Sequence, residues 1–164
     1  MQNKSRLIKL SYFLATGFYS GLSPIMPGTC GTLVSAAILF VINRIFPSFY
    51  TPLISYLLAI VVTIIAVISS NFCLKHQIFG ELHKDPQQIV IDEFAGYYVT
   101  LAGLAAIDFQ ALFWGFIFFR LFDMTKLSII KKAELLPRGW GIVADDIVAG
   151  VFAAICLRLL LFLS

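Results

Sequence analysis

The chain predicts an all-α integral membrane domain, and three observations lead there. Of its 164 residues, 60% are hydrophobic and 13% charged, against about half and a quarter in an average soluble domain. Its mean hydropathy is +0.92. Five apolar runs, 31–46, 52–74, 89–107, 111–122 and 142–163, approach the roughly 20 residues that a helix needs to cross a hydrocarbon core. No internal repeat, low-complexity tract or long linker divides the sequence. The expectation is a single multi-helical membrane domain over residues 1–164 with about four to five spans.

The elements follow in order. Residues 7–19 suit an amphipathic helix, preceded by basic Lys4 and Arg6 and carrying Lys9. Gly17, Gly21 and Pro24 then interrupt the chain with no small-residue cleavage site, so a cleavable signal peptide is not expected. A loop, "GLSPIMPGTCG", leads into the first apolar run. Run 52–74 is the one run free of charge, while 89–107 opens with Asp92 and Glu93. Run 111–122 is short and closes on Arg120 and Asp123. A re-entrant or surface-lying helix can therefore replace either of these two middle spans. The last run opens with Asp145 and Asp146. Most of the 16 Phe and 6 Tyr read as packing, and Trp114, Trp140 and the Tyr97/Tyr98 pair read as interfacial. Cys30, Cys73 and Cys156 are isolated from one another, which points to buried thiols rather than a zinc cluster or disulfide framework.

Charge sets orientation and excludes one class of partner. With the N-terminus inside and five alternating runs, Lys4, Arg6, Lys9, Lys75, Lys84, Lys126, Lys131, Lys132 and Arg138 all fall on the cytoplasmic side. The opposite loops hold only Arg44. The net charge of +3 is scattered between apolar runs, without the aromatic-laced basic stripe that nucleic acid requires. It faces anionic lipid instead.

The acidic residues interrupt the apolar runs at one membrane face. A charge at the centre of a bilayer helix costs roughly 2.5–3.5 kcal/mol. Dipole complementation accounts for single acids at helix starts, and Arg120 can pair with Asp123 at i,i+3. Neither explains adjacent Asp-Glu and Asp-Asp doublets. Carboxylates gathered at one site repel and take up protons unless a cation neutralises them, and an all-oxygen set suits Mg²⁺, Mn²⁺ or Ca²⁺. Arg120 and Lys126 flank Asp123 on one helical face, as a phosphate would need. In "PGTCGTL", Gly28, Thr29, Gly31 and Thr32 offer hydroxyls and backbone N–H groups at a helix start. Asp92, Glu93, Asp123, Asp145 and Asp146 thus become candidate metal ligands and catalytic groups, with Arg120, Lys126 and the Gly-Thr loop as candidate phosphate binders.

Four blocks, "GLSPIMPGTCGTL", "KDPQQIVIDEFAGYYVTL", "FFRLFDMTK" and "GWGIVADDIVAG", resemble the phosphatidylglycerophosphatase A family in order and separation. The resemblance spans roughly residues 17–153. It implies Mg²⁺-dependent removal of the terminal phosphate of phosphatidylglycerophosphate to give phosphatidylglycerol, at the cytoplasmic face of a bacterial inner membrane. It also implies an all-helical fold. The five acids fall on the family's acidic positions, Arg120 and Lys126 on its basic ones, and Asp85 on an acidic position preceding the Asp92-Glu93 block. The chain departs from the family after Lys126: Leu127, Ser128, Ile129 and Ile130 stand where a Pro-Trp-Pro-Ile type segment is common. His83 is one place from where a histidine is expected, and no role is given to it.

Other classes fit less well. A transporter places its charges near the midplane in paired halves, and a membrane scaffold leaves the acidic set unexplained. A lipid-phosphate phosphatase of different specificity is the nearer alternative. The chain lacks a histidine-bearing phosphohistidine signature, since His76 and His83 are its only histidines. Two routes suit the predicted site: activation of a water for direct attack, or attack by an aspartate to form an acyl phosphate.

Overall fold

In the computed structural model the described residues are 2–47, 50–80, 86–104, 106–125, 130, 133, 136–137 and 139–163. Asp85 and Lys126 of the predicted site, and His83 beside it, lie outside them. Among the described residues there are six continuous α-helices, one 3₁₀ turn and no strand. They are α1 (Gln2–Ala15), the turn (Ser20–Leu22), α2 (Pro27–Ile45), α3 (Pro52–Lys75), α4 (Ile91–Leu101), α5 (Phe109–Thr125) and α6 (Gly139–Leu163).

Local chemistry sets where the helices begin. Pro27 and Pro52 occupy the first turns of α2 and α3, where a missing N–H costs nothing and the fixed φ suits the helix. The Thr51 hydroxyl accepts the Ile54 N–H at 3.3 Å, and Asp108 Oδ1 accepts the Ala111 N–H at 2.7 Å; both are side-chain N-caps. The start of α6 is capped from another helix, since Asn71 of α3 accepts the Gly139 N–H at 3.1 Å. The amphipathic helix expected over 7–19 is α1, which ends at Ala15. It packs on α3, with Tyr12 stacked on Phe79 at 5.4 Å between ring centroids.

Among the described residues three helices, not four or five, are long and apolar enough to cross a membrane: α2, α3 and α6, of 19, 24 and 25 residues. The run 89–107 yields α4, only 11 residues long, or about 16 Å. The run 111–122 yields the 17-residue α5, with Arg120 and Asp123 in its last turns. Hydropathy continues past Leu101, but the helix does not. Gly103 takes a left-handed φ of 81°, and residues 104 and 106–108 are not helical.

Backbone that leaves a helix inside a membrane protein must find its partners in protein. Here four side chains supply them. The Tyr50 hydroxyl donates to Leu101 O at 3.3 Å, and the Arg158 guanidinium donates to Ala102 O and Ala154 O. Ser55 Oγ accepts the Gly103 N–H at 2.7 Å, and Asn43 Nδ2 donates to Ile107 O at 2.5 Å. The lone arginine near the end of the last helix is thus the cap of an interrupted one. Removing two crossings together leaves the parity of the chain unchanged, so the starts of α2, α4 and α6 and the end of α5 still share one end of the bundle.

The short helix is the centre of the fold. α4 packs against α2, α3, α5 and α6, and nine of its eleven residues are buried. Tyr97 and Tyr98, expected at the interface, are core residues instead. Tyr97 is fully buried, and its hydroxyl donates to Leu112 O at 2.9 Å. Trp114 and Trp140 are exposed. Cys73 is buried and Cys30 and Cys156 are half-buried, all three as free thiols.

The closest approach is between α4 and α6. A Cβ on Gly96 would lie 2.6 Å from Asp146 O, and one on Gly150 would collide with Gly96 O. Thr100 Oγ1 bridges the same crossing, donating to Gly96 O at 3.0 Å and lying 3.4 Å from Gly150 O. With little hydrophobic drive between helices in lipid, such small-residue contact is the main adhesive. Gly150→Ala should therefore destabilise the fold by about 1–3 kcal/mol, as overpacking does. A clear fall in the thermal unfolding midpoint in detergent is expected, and an unchanged midpoint would refute the tight crossing.

Candidate active site

Four helix ends converge on one cavity of about 490 Å³, lined from α2 by Pro27 and Gly28, from α4 by Asp92 and Glu93, from α5 by Arg120 and Asp123, and from α6 by Asp145 and Asp146. All five predicted acids face it. Asp92 and Glu93 sit in the first turn of α4, where the positive end of the dipole favours negative charge. By contrast, α6 begins at Gly139 and has no acid in its first turn. Asp145 and Asp146, expected to open the last helix, therefore lie inside it, because the helix starts ahead of the apolar run.

Three of the acids come closest together. Asp92, Glu93 and Asp146 each present an oxygen within 4.8 Å of the others. Oxygen ligands of one hard cation, held at roughly 2.0–2.6 Å, lie about 3–5 Å apart, so the separation fits a shared divalent ion. A second observation agrees: Glu93 Oε2 is buried and accepts no hydrogen bond among the described residues. Burial pushes the Glu93 carboxyl up to about 7, offset by hydrogen bonding with Asp92 and by the Arg120 charge, and reinforced by the Asp123 charge. A carboxyl so placed is one that a cation would keep ionised. Asp145 lines the cavity outside that trio.

Arg120 organises the cationic side. Its Nη1 lies 2.7 Å from Asp123 Oδ2 and 3.9 Å from Glu93 Oε1, while its Nε has no acceptor among the described residues. Asp123 is therefore engaged by Arg120 at i,i+3 as well as facing the cavity. The guanidinium keeps donors in hand for an anion, and its planar fork suits a phosphate.

The glycine loop divides into two parts. Met26 takes a left-handed φ of 49° at the start of α2, and the N–H groups of Gly28 and Thr29 have no acceptor within the helix. Gly28 sits against the site: a Cβ there would collide with Glu93 Oε1 and lie 3.2 Å from Arg120 Nη1. Thr29 Oγ1 is buried without a partner among the described residues. Gly31 and Thr32 turn elsewhere. A Cβ on Gly31 would meet Val90 at 2.8 Å, so this glycine lets α2 approach the start of α4. The buried Thr32 hydroxyl is already given to Gly28 O at 3.0 Å.

The cavity also takes in Met26, Gln87, Ile89 and Met124, which the sequence reading did not single out. A signal for the helix crossing was present. The segments "DEFAG" (92–96) and "DIVAG" (146–150) both read Asp-x-x-Ala-Gly. Each places an acid one turn before a glycine, with Ala95 and Ala149 fully buried between them.

Comparison with known proteins places the chain in a family. A profile of the family described as "PgpA: Phosphatidylglycerophosphatase A" matches residues 13–161. The chain is 39% identical over 156 residues to phosphatidylglycerophosphatase A of Escherichia coli (strain K12), covering 92% of this chain and 84% of that one. It is 32% identical over 154 residues to the Haemophilus influenzae protein of the same name, covering 93% and 89%. A Bacteroides thetaiotaomicron protein provisionally named phosphatidylinositol-3-phosphatase is 34% identical over 152 residues, covering 89% and 90%. No solved structure matches the chain. Three apolar helices of membrane-crossing length and a match that runs nearly end to end point to a membrane protein, and on that match the chain belongs to the phosphatidylglycerophosphatase A family of phosphoric monoester hydrolases.

Proposed function

We propose that the chain hydrolyses the terminal phosphomonoester of phosphatidylglycerophosphate, giving phosphatidylglycerol and inorganic phosphate, with Mg²⁺ as cofactor. The observation that carries the reading is the juxtaposition of the Asp92, Glu93 and Asp146 oxygens with Arg120 and the α2 N-terminus across one cavity. Anion-binding and cation-binding groups share a space that fits a phosphomonoester. Asp92, Glu93 and Asp146 would hold the ion, with Asp145 and Asp123 beside them. Bound there, Mg²⁺ supplies positive charge for the phosphoryl oxygens and for the charge that builds up during transfer.

The protein's own groups do the rest. Arg120 and the free N–H groups of Gly28 and Thr29 bind and orient the phosphate dianion. The Asp123 carboxylate fixes the guanidinium. In the reaction a water oxygen bonds to phosphorus, the bond from phosphorus to the glycerol oxygen breaks, and a proton passes from the water to the leaving oxygen. Carboxylates are the only basic side chains lining the cavity among the described residues, so one of them takes that proton.

The Bacteroides relative's name gives a specific reason to test a second lipid. Purified protein should release phosphate from phosphatidylglycerophosphate in preference to phosphatidylinositol 3-phosphate and phosphatidic acid. Preference for phosphatidylinositol 3-phosphate would reassign the substrate and keep the site. Exhaustive chelation should abolish turnover and Mg²⁺ restore it, whereas full activity in chelator would end the metal reading.

Charge-removing variants separate ligation from capping. Asp146→Asn, Asp92→Asn and Glu93→Gln should each fold but lose activity by about a hundredfold or more, a few kcal/mol of transition-state stabilisation. Asp108→Asn is the control: Asp108 caps α5, asparagine caps equally well, and activity should stay near that of the parent. Normal turnover by the Asp146 variant at limiting Mg²⁺ would remove it from the site.

The proposed setting is the bacterial inner membrane, with the cavity on the cytoplasmic side, supported by the bias of Lys and Arg in the sequence towards the segments expected there. Cysteines introduced at Lys75, the end of α3, and at Pro47, just beyond α2, should label from opposite sides of sealed vesicles. Lys75→Cys should react from the cytoplasmic face, and reaction from the other face would invert the site.

A further inference from the structure

A second, apolar space lies beside the polar cavity. A groove of about 400 Å³ runs along the outside of the bundle between α2 and α5, lined chiefly by Leu33, Ala37 and Phe40 of the one and Phe109, Phe113 and Ile117 of the other. Its lining offers no charged side chain. These are the same two helices whose other ends bring Gly28 and Arg120 to the cavity.

Helical register aligns the two spaces. On α2, residues 33, 37 and 40 form one stripe at i, i+4, i+7, and the same spacing stepped backwards reaches Thr29 and Met26. On α5, residues 109, 113 and 117 continue the stripe to Arg120 and Met124. Met26 and Met124 line the cavity and are exposed, so its opening lies where both stripes arrive. From Gly28 to Leu33 is five residues, roughly 7.5 Å of rise, and from Ile117 to Arg120 three, roughly 4.5 Å. Arg120 is in turn close enough to α2 that a Cβ on Gly28 would lie 3.2 Å from it.

We propose that the α2–α5 groove seats an acyl chain of the lipid phosphomonoester whose headgroup occupies the cavity, so that substrate enters from the bilayer between these two helices. The proposal rests on the reading of the cavity as a lipid phosphomonoesterase site and adds the path by which the lipid reaches it. An annular lipid could fill any apolar groove. This one differs in leading, along both helices, to an arginine with an unused donor. Ala37 is the small residue that keeps the groove open, and it lies outside the catalytic machinery.

Two measurements test it. The first uses a diacyl lipid phosphonate, which cannot be hydrolysed, carrying a photoreactive diazirine midway along one chain, with phosphatidylcholine bearing the same chain for comparison. Adducts on residues 33–40 and 109–117 should form several-fold more with the phosphonate, and Arg120→Ala should abolish that preference. Equal adduct yields from the two lipids would overturn the proposal. The second is Ala37→Trp, which should raise KM for long-chain lipid phosphomonoesters about tenfold with kcat held, the pattern of lost remote binding, and leave hydrolysis of a dibutanoyl analogue unchanged. An unaltered long-chain KM would overturn it too. If the selective adducts form but the protein releases phosphate from no lipid, the groove stands and the hydrolase reading falls; hydrolysis with unselective adducts gives the reverse.

Discussion

The contact between Gly96 and Gly150 holds the rest of the structure in place. Both helices run away from the same end of the bundle, and each carries an acid one turn before its glycine. With no side chain between the backbones, α4 and α6 lie close enough for Asp92 and Glu93 to meet Asp146. A larger residue at either glycine would move the carboxylates apart by moving the helices. The chemistry of the site and the packing of the fold are therefore one constraint, which is why small residues and acids alternate within two short segments.

That constraint creates an electrostatic problem that the surrounding groups resolve in part. Buried carboxylates at close range repel, and burial disfavours their charged forms. The helix start under Asp92 and Glu93 offers partial positive charge, and Arg120 adds a full one between Glu93 and Asp123. Burial nevertheless holds Glu93 raised to about 7, with the Asp123 charge adding to the shift and Arg120 opposing it. On the proposed reading a divalent ion would complete the balance and leave positive charge for an arriving phosphate dianion. Arg120 is paired with Asp123 while its Nε has no acceptor among the described residues.

The interrupted helix has its own logic. Because α4 stops after 11 residues, its far end would leave orphan carbonyls inside an apolar bundle. Tyr50, Ser55, Asn43 and Arg158 absorb those groups, so a short helix can be buried among longer ones. Its acidic start is thereby placed at the end of the bundle where α2, α5 and α6 also terminate. A full-length span in its place would need a lipid-facing stripe, whereas α4 is enclosed by protein and can carry Asp92, Gly96 and Thr100 on its faces.

The sequence by itself determined the class and the chemical inventory. Hydropathy required membrane-length helices, the acids in the apolar runs marked out a polar site, and four blocks in order were sufficient for the family. These features are legible because each depends on residue type within one helix or loop. Tertiary structure decided what depends on relations between helices. The run 89–107 has the hydropathy of a span, and only the partners at Leu101, Ala102 and Gly103 reveal where it breaks. Tyr97 and Tyr98 have interfacial chemistry, yet helices on every side of α4 make them core. Gly31 and Thr32 share a motif with Gly28, but rotation along α2 turns that pair towards Val90 and the helix interior and Gly28 towards Arg120 and Glu93. Periodicity fixes which residues share a face of a helix. What that face meets is fixed by packing, through contacts between segments far apart in the chain, and no local pattern contains them.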